Sequence, residues 1–147
     1  MMKWITRERV KVDRVACPWL IRNFIDPDAQ FVFLPHDSDW SAISDGIVYD
    51  VPNCELGHHG EDVSFDSIMK KYKVNDPALT LLAEIVRAAD SHLTNPHSAG
   101  EGLRWIAHGV WRCLRTARCC ICCRRSSSWM TRRGSMIRWE WWETSWR

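Results

Sequence analysis

The sequence predicts a single α+β domain that is rich in helix and contains a small β-sheet. A chain of 147 residues is long enough to bury one hydrophobic core but not comfortably two. Short apolar runs bounded by turn-forming residues indicate strands, and longer segments with apolar residues at helical spacing indicate helices. Hydrophobic residues make up 46% of the chain and charged residues 26%, a balance that is typical of folded domains.

Three short segments have the composition of strands. They are KWITRE at Lys3–Glu8, QFVFLP at Gln30–Pro35 and IVYDV at Ile47–Val51. Gln30–Pro35 is apolar enough to be a buried strand. We expect these three segments to form the sheet.

The segment DRVACPWLIRNF predicts the first helix, and its start has two interpretations. Asp13 can act as the N-cap of a helix that spans the whole segment. Pro18 instead favours a start near Cys17, because proline suits a first helical turn and not a helix interior. In that second case Arg14 lies in the preceding loop, and the helix N-terminus lowers the pKa of the Cys17 thiol.

Three more helices are predicted further along the chain. Ser64 can cap a helix over Phe65–Tyr72. Asp76-Pro77 is typical of a helix start, with aspartate at the N-cap and proline in the first helical position. That helix runs to about Ala89, and a final helix begins near Gly102.

The best chemical lead lies in the first helical segment. Arg14 and Arg22 are eight positions apart, close to two helical turns, so a helix through both projects them to roughly one side. Cys17 lies between them, and flanking guanidinium groups favour a reactive thiolate that faces an anion. The alternative is a buried structural cysteine, with the arginines in ordinary salt bridges to Asp13 or Asp26.

A second group of candidate residues is the loop sequence ELGHHG, which supplies Glu55, His58 and His59. Carboxylate and imidazole groups at this spacing suit a divalent metal at Glu55 and His58, or general acid/base catalysis by the histidines. Asp90, at the end of a predicted helix, can complete such a site. The simpler alternatives are an imidazole bonded to a nearby carboxylate and a solvated helix end.

The composition changes abruptly near residue 110, which divides the chain into a domain at 1–109 and a tail at 110–147. The first part carries 11 Lys and Arg residues against 16 Asp and Glu, whereas the tail carries nine arginines against two glutamates. The tail also holds five of the seven cysteines and six of the ten tryptophans, without a clear helical or strand period. We interpret it as disordered or as the product of a shifted reading frame.

Several functional classes find no motif in this chain. It contains no glycine-rich phosphate loop, nucleophile elbow or HExxH motif. The start lacks the apolar core of a secretory signal, and no run of 18 apolar residues predicts a membrane span. These patterns predict a cytoplasmic protein with mostly reduced cysteines, and without a membrane or a specific nucleic acid as partner.

The opening KWITRERVKVDRVACPWLIRNFIDPDAQFVFLP resembles the chromate-resistance family, which comprises the C-terminal domain of the bacterial chromate-responsive regulator and its stand-alone relatives. ELGHHGEDVSFDSIMKKY and DPALTLLAEIVRAAD are similar to the second and third blocks of that family. The resemblance covers about residues 2–109 and does not extend to the tail.

The resemblance implies a chromate-related domain that senses or binds a small oxyanion. It favours Arg14 and Arg22 as anion-binding residues and Cys17, His58 and His59 as reactive ones, with Asp13, Asp26 and Asp90 in support. One alternative is a redox or metal-assisted enzyme that acts on chromate or a related anion, and another is a structural partner domain in a regulatory complex. The cofactor is unknown, a divalent metal is one candidate, and a homodimer is left open.

Overall fold

The computed structural model describes residues 2–91 and 97–116, and of residues 111 and 113–116 it describes the backbone alone. Within these ranges the chain forms three strands, four α-helices and one short 3-10 turn at Trp40–Ala42. The predicted α+β class, with a small sheet among helices, is confirmed. The elements in chain order are β1 (Lys3–Arg7), α1 (Asp13–Phe24), β2 (Gln30–Leu34), β3 (Ile47–Val48), α2 (Ser64–Tyr72), α3 (Pro77–Asp90) and α4 (Ala99–Thr116).

The sheet contains the three predicted strands in the order β2-β1-β3, and both pairings are parallel. Trp4 pairs with Phe31 on one side and with Ile47 on the other. Each strand ends earlier than predicted, and β3 is only two residues long. Because α1 connects two parallel strands, it packs back across the sheet.

Helix α1 begins at Asp13 and contains Pro18 in its interior. The predicted later start near Cys17 is therefore wrong, and Arg14 lies in the helix and not in a loop. Val12 occupies the cap position, and its carbonyl accepts hydrogen bonds from the backbone N–H groups of Val15 and Ala16. Buried side chains on both sides of Pro18, including Ala16 and Leu20, hold this helix against the core despite the missing N–H.

Helix α3 follows the predicted start, because the Asp76 side chain accepts hydrogen bonds from the N–H groups of Ala78 and Leu79. Helix α4 packs against its end. The Arg104 side chain donates to the carbonyls of Ala88 and Ala89 at 3.2 Å and 2.9 Å, which satisfies acceptors that a helix C-terminus leaves free. The last residue of α3, Asp90, is thereby held in place.

Helix α4 crosses the predicted boundary between residues 109 and 110. Residues 110–116 of the predicted tail continue this helix, and the interpretation of the tail as disordered or as the product of a shifted reading frame stays a prediction. Residues 117–147, including the cysteine cluster Cys119–Cys123, lie outside the described residues.

The core lies between the sheet and helices α1, α2 and α3. Its largest fully buried side chains include Trp4, Tyr49 and Phe65. Trp4 and Tyr49 pack edge to face with ring centroids 6.2 Å apart, a favourable aromatic geometry. Across the described part of the chain, every helix is too short or too polar to cross a bilayer.

Candidate functional site

One imidazole meets three carboxylates at the centre of the candidate site. His58 Nε2 lies 3.1 Å from Asp13 Oδ2, 3.4 Å from Asp90 Oδ2 and 3.8 Å from Asp50 Oδ1. The Asp13 and Asp50 side chains are buried, whereas the His58 side chain is 41% exposed. The site is therefore anchored in the interior and reaches solvent through the histidine.

The fold brings these groups together from four separate segments. Asp13 is the first residue of α1, and Asp90 is the last residue of α3. Asp50 follows β3, and His58 lies in the loop between β3 and α2. Arg7, the last residue of β1, contacts Asp50, so the site lies at the carboxyl edge of the parallel sheet, where α/β proteins commonly bind ligands.

Arg14 forms a buried ion pair with Asp50. Its Nη1 lies 2.6 Å from Asp50 Oδ2, and each side chain is 3% exposed. The Arg14 Nε–H donates to the carbonyl of Arg9. Asp50 has a positive φ of 50°, a left-handed conformation that aspartate tolerates better than most residues. The ion pair thus fixes one wall of the site. Its Arg14 guanidinium, which the sequence suggested for anion binding, is engaged by Asp50.

Asp13 is the most deeply buried carboxylate of the group, with 1% exposure. Its Oδ2 accepts a hydrogen bond from the backbone N–H of Ser64 at 3.1 Å, in addition to the His58 contact. Its Oδ1 has no hydrogen-bond partner among the described residues. Buried polar atoms are usually satisfied, so this oxygen calls for an explanation.

Burial and mutual repulsion shift the proton affinities of the site. Burial, followed by the charges of Asp13 and Asp50, raises the pKa of Asp90 to about 6. Burial also raises the pKa of Asp50 above its usual range, although Arg14 opposes this. The hydrogen bond with Asp13 raises the pKa of His58. Shifts of this kind concentrate at functional sites.

A cavity of about 300 Å³ opens beside the cluster. It is lined by two cationic side chains, Arg7 and Lys11, and by the polar groups of His58 and Asp90. Asp50 and Asn53 complete the polar wall, and Val51 and Pro52 supply the apolar part. The cavity therefore gives a small solute access to the imidazole and to both cations.

Cys17 does not have the environment of a reactive thiol. Its side chain is fully buried in the hydrophobic core. Burial raises the pKa of Cys17 well above its ordinary value, and the charges of Asp13 and Asp50 add to the effect. The predicted lowering of this pKa is therefore wrong, because desolvation and nearby carboxylates outweigh the neighbouring guanidinium.

Arg14 and Arg22 do not share a ligand site in this structure. The Arg22 Nη2 donates to the carbonyl of Ala29 at 3.1 Å, and its guanidinium lies 5.8 Å from the ring centroid of Phe31. Asp26 accepts a hydrogen bond from the Trp4 indole N–H at 3.1 Å. Arg22 and Asp26 thus support the packing of α1 against the sheet.

Glu55 and His59 lie apart from the cluster. Glu55 is exposed and pairs with Lys71 at 2.5 Å, and His59 Nε2 bonds the Glu55 carbonyl at 2.9 Å. Among the described residues, one group of three potential metal ligands has its ligand atoms all within 4.8 Å of one another, and it consists of Asp13, His58 and Asp90. Of the predicted Glu55–His58 metal pair, only His58 belongs to this group.

Sequence reasoning missed Asp50, Arg7 and Lys11. A signal for the first two was present, since Arg7 ends one strand segment and Asp50 lies near the end of another, and the carboxyl ends of parallel strands share one edge. It could be used only if the strands were known to be parallel. Lys11 offered no signal, because an exposed lysine in a loop is usually a solvated surface residue.

The fold and the site define a small α+β domain with a carboxylate–imidazole cluster at the carboxyl edge of a three-stranded parallel sheet. This chain belongs to the family described as "ChrB, C-terminal domain", whose profile matches residues 4–120. The match confirms the resemblance seen in the sequence and extends into the segment interpreted as an atypical tail.

A curated relative is Protein ChrB of Cupriavidus metallidurans (strain ATCC 43123 / DSM 2839 / NBRC 102507 / CH34). It is 35% identical over 109 residues, which cover 74% of this chain and 33% of that protein. The chain therefore spans about a third of the length of the relative it matches. No solved structure matches this chain.

Proposed function

We propose that this domain binds a small tetrahedral oxyanion of the chromate type and acts as the ligand-sensing part of a chromate response. The observation that carries the proposal is the joint lining of one cavity by Arg7, Lys11 and His58. These side chains offer N–H donors, and guanidinium and ammonium groups suit oxyanions. The family resemblance supports chromate as the reference ligand.

The anion-binding residues in this proposal differ from those expected from sequence. Arg14 is neutralised by Asp50 and Arg22 contacts a backbone carbonyl, whereas Arg7 and Lys11 line the cavity. Arg7 contacts Asp50 through Nη2 at 3.4 Å, which is longer than the 2.6 Å contact of Arg14 with Asp50. The other N–H groups of the Arg7 guanidinium are therefore left for a ligand.

The carboxylates set a condition on anion binding. Asp50 is balanced by the buried Arg14, but Asp90 faces the cavity and lies near Asp13 and Asp50. An anion entering the cavity is repelled by Asp90 unless a positive charge lies between them. Binding strength therefore depends on the charge balance of the cluster.

Calorimetric titration with chromate and with sulfate tests the proposal. We expect heat with the wild-type protein, and weaker binding by about tenfold or more in Arg7→Gln and Lys11→Ala. Lys3→Ala is the matched control, because Lys3 pairs with Asp45 at the protein surface and does not line the cavity. Absence of heat with both anions contradicts oxyanion binding and favours the structural partner domain.

A redox or metal-assisted enzyme is the alternative function. The redox version needs an electron donor, and Cys17 is buried with a raised pKa, so its thiol gives this version little support. Anaerobic chromate turnover with a thiol or nicotinamide donor distinguishes an enzyme from a sensor. Turnover by the wild-type protein would require the sensor assignment to be replaced.

A further inference from the structure

We infer that Asp13, His58 and Asp90 form a binding site for a divalent transition-metal ion. The inference goes beyond the proposed function, because metal binding at these residues does not require an oxyanion. It also replaces the pairing of Glu55 with His58 that the sequence suggested.

The spacing of the three donor groups matches a metal coordination sphere. The His58 Nε2 lies 3.1 Å from Asp13 Oδ2 and 3.4 Å from Asp90 Oδ2, and one ligand atom from each residue lies within 4.8 Å of the others. Metal bonds to nitrogen and oxygen are about 2.0–2.2 Å long, so adjacent donors around one ion lie roughly 3–3.5 Å apart. The ion can therefore enter the cluster with only small side-chain adjustments.

The unsatisfied oxygen of Asp13 is an independent indication of a missing ligand. The Asp13 side chain is almost fully buried, with 1% exposure. Its Oδ1 has no hydrogen-bond partner among the described residues. Its Oδ2 belongs to the same carboxyl group and contacts His58 directly, which places Oδ1 beside the cluster. A cation there supplies the interaction that a buried carboxylate otherwise lacks.

The surroundings of the cluster hold the donors in fixed positions. The Ser64 N–H, at the start of α2, donates to Asp13 Oδ2, and Arg104 fixes the end of α3 that carries Asp90. Hydrogen bonds of this kind orient metal-ligating carboxylates and raise affinity. The nearby ion pair of Arg14 and Asp50 adds a rigid wall.

The donor set indicates the class of metal. Two carboxylates and one imidazole contain no soft sulfur, and they suit ions from manganese to zinc better than they suit copper(I). Three protein ligands leave coordination positions open, and His58 and Asp90 both line the cavity. If the proposed function holds, an oxyanion can occupy an open position with Arg7 and Lys11 beside it, and the ion provides the positive charge that offsets Asp90.

Manganese(II) alone is the appropriate probe of the full-length, chelator-treated protein. The tail contains five cysteines, which would take up zinc but compete weakly for manganese. Free manganese can be quantified by its electron paramagnetic resonance signal. We expect one ion per chain, and at least about tenfold weaker binding in His58→Gln and in Asp90→Asn.

Two matched variants control for the loss of an imidazole or a carboxylate. His59→Gln removes the adjacent histidine, which bonds a backbone carbonyl, and Asp45→Asn removes an exposed carboxylate paired with Lys3. Both should bind manganese like the wild-type protein. Thermal unfolding should confirm that all four variants fold, since His58 and Asp90 are not in the hydrophobic core.

The inference is overturned if the wild-type protein binds no manganese at millimolar concentration, or if His58→Gln and Asp90→Asn bind it as well as the controls do. Chromate titrations of chelated and manganese-loaded protein separate this result from the proposed function. Manganese binding without oxyanion binding in either state contradicts the proposed function alone. Oxyanion binding without manganese binding contradicts the metal site alone.

Discussion

His58 Nε2 lies 3.1 Å from Asp13 Oδ2, across a sequence separation of 45 residues. This contact joins a solvent-accessible imidazole to a carboxylate that also accepts a hydrogen bond from the backbone N–H of Ser64. It connects the loop before α2 to the start of α1. Two further carboxylates stand next to the same nitrogen, so the contact defines the point around which the site is built.

Removing Arg14 should destabilise the protein strongly. In Arg14→Met, Asp50 stays buried without its main partner, and loss of one member of a buried pair costs about 3–5 kcal/mol in the free energy of unfolding. Lys3→Met breaks an exposed pair with Asp45 and should cost no more than about 1 kcal/mol. Urea unfolding measures both values. Equal costs in the two variants would contradict a structural role of the buried pair.

The metal-free protein should lose stability as the pH rises from about 4 to 6. Asp90 has a folded pKa of about 6 and an ordinary value of 3.8, so the folded state binds the proton more tightly than the unfolded state does. The free energy of unfolding then falls with rising pH across this window and has no further contribution from Asp90 above it. Burial is the main cause of the shift, and the charges of Asp13, Asp50, His58 and Lys11 act on the Asp90 carboxyl as well.

Asp90→Asn tests this pH dependence. The variant removes the penalty of a buried charge and should be more stable than the wild-type protein at pH 7, by on the order of 1–3 kcal/mol. At pH 4 the difference should largely vanish. Urea unfolding at both pH values, with chelator present, measures the effect. A wild-type slope that persists unchanged in Asp90→Asn would refute the assignment.

Cys17 should behave as a core residue and not as a nucleophile. Cys17→Ser places a hydroxyl in the core and should lower the free energy of unfolding by about 1–3 kcal/mol. Cys54→Ser should cost less, since Cys54 is only partly buried. Iodoacetamide labelling read by mass spectrometry should show slow modification of Cys17 in the folded protein. Rapid labelling at Cys17 would restore the reactive-thiol hypothesis.

Two glycines of α4 form a matched test of the packing between α3 and α4. A Cβ at Gly100 would lie 2.8 Å from the Cβ of Ala88, whereas a Cβ at Gly102 would meet nothing within 4 Å. Gly100→Ala should therefore destabilise by about 1–3 kcal/mol. Gly102→Ala should be neutral or stabilise by up to about 1 kcal/mol, because alanine favours helix. Thermal melts compare them, and a neutral Gly100→Ala would show that the helices are not in close contact there.

The sequence by itself determined the fold class, the three strands and the start of α3. Strands appear as short apolar runs and α3 as an Asp-Pro start before apolar residues at helical spacing, and both signals are local. It also placed Asp13, His58 and Asp90 among the candidates, and its first block was specific enough to indicate the family. It could not define the span of α1, because core packing outweighed the preference of Pro18 for a helix start.

Only the tertiary structure decided which candidates meet. Whether a thiol is activated depends on burial and on all nearby charges, and Cys17 is surrounded by core side chains and carboxylates. Asp50 and Arg7 joined the site through the parallel pairing of β1 with β3, a long-range choice that two short strands do not encode locally. The tertiary structure also decided that Arg14 and Arg22 do not share a ligand. Arg14 pairs with Asp50, whereas Arg22 donates to the carbonyl of Ala29.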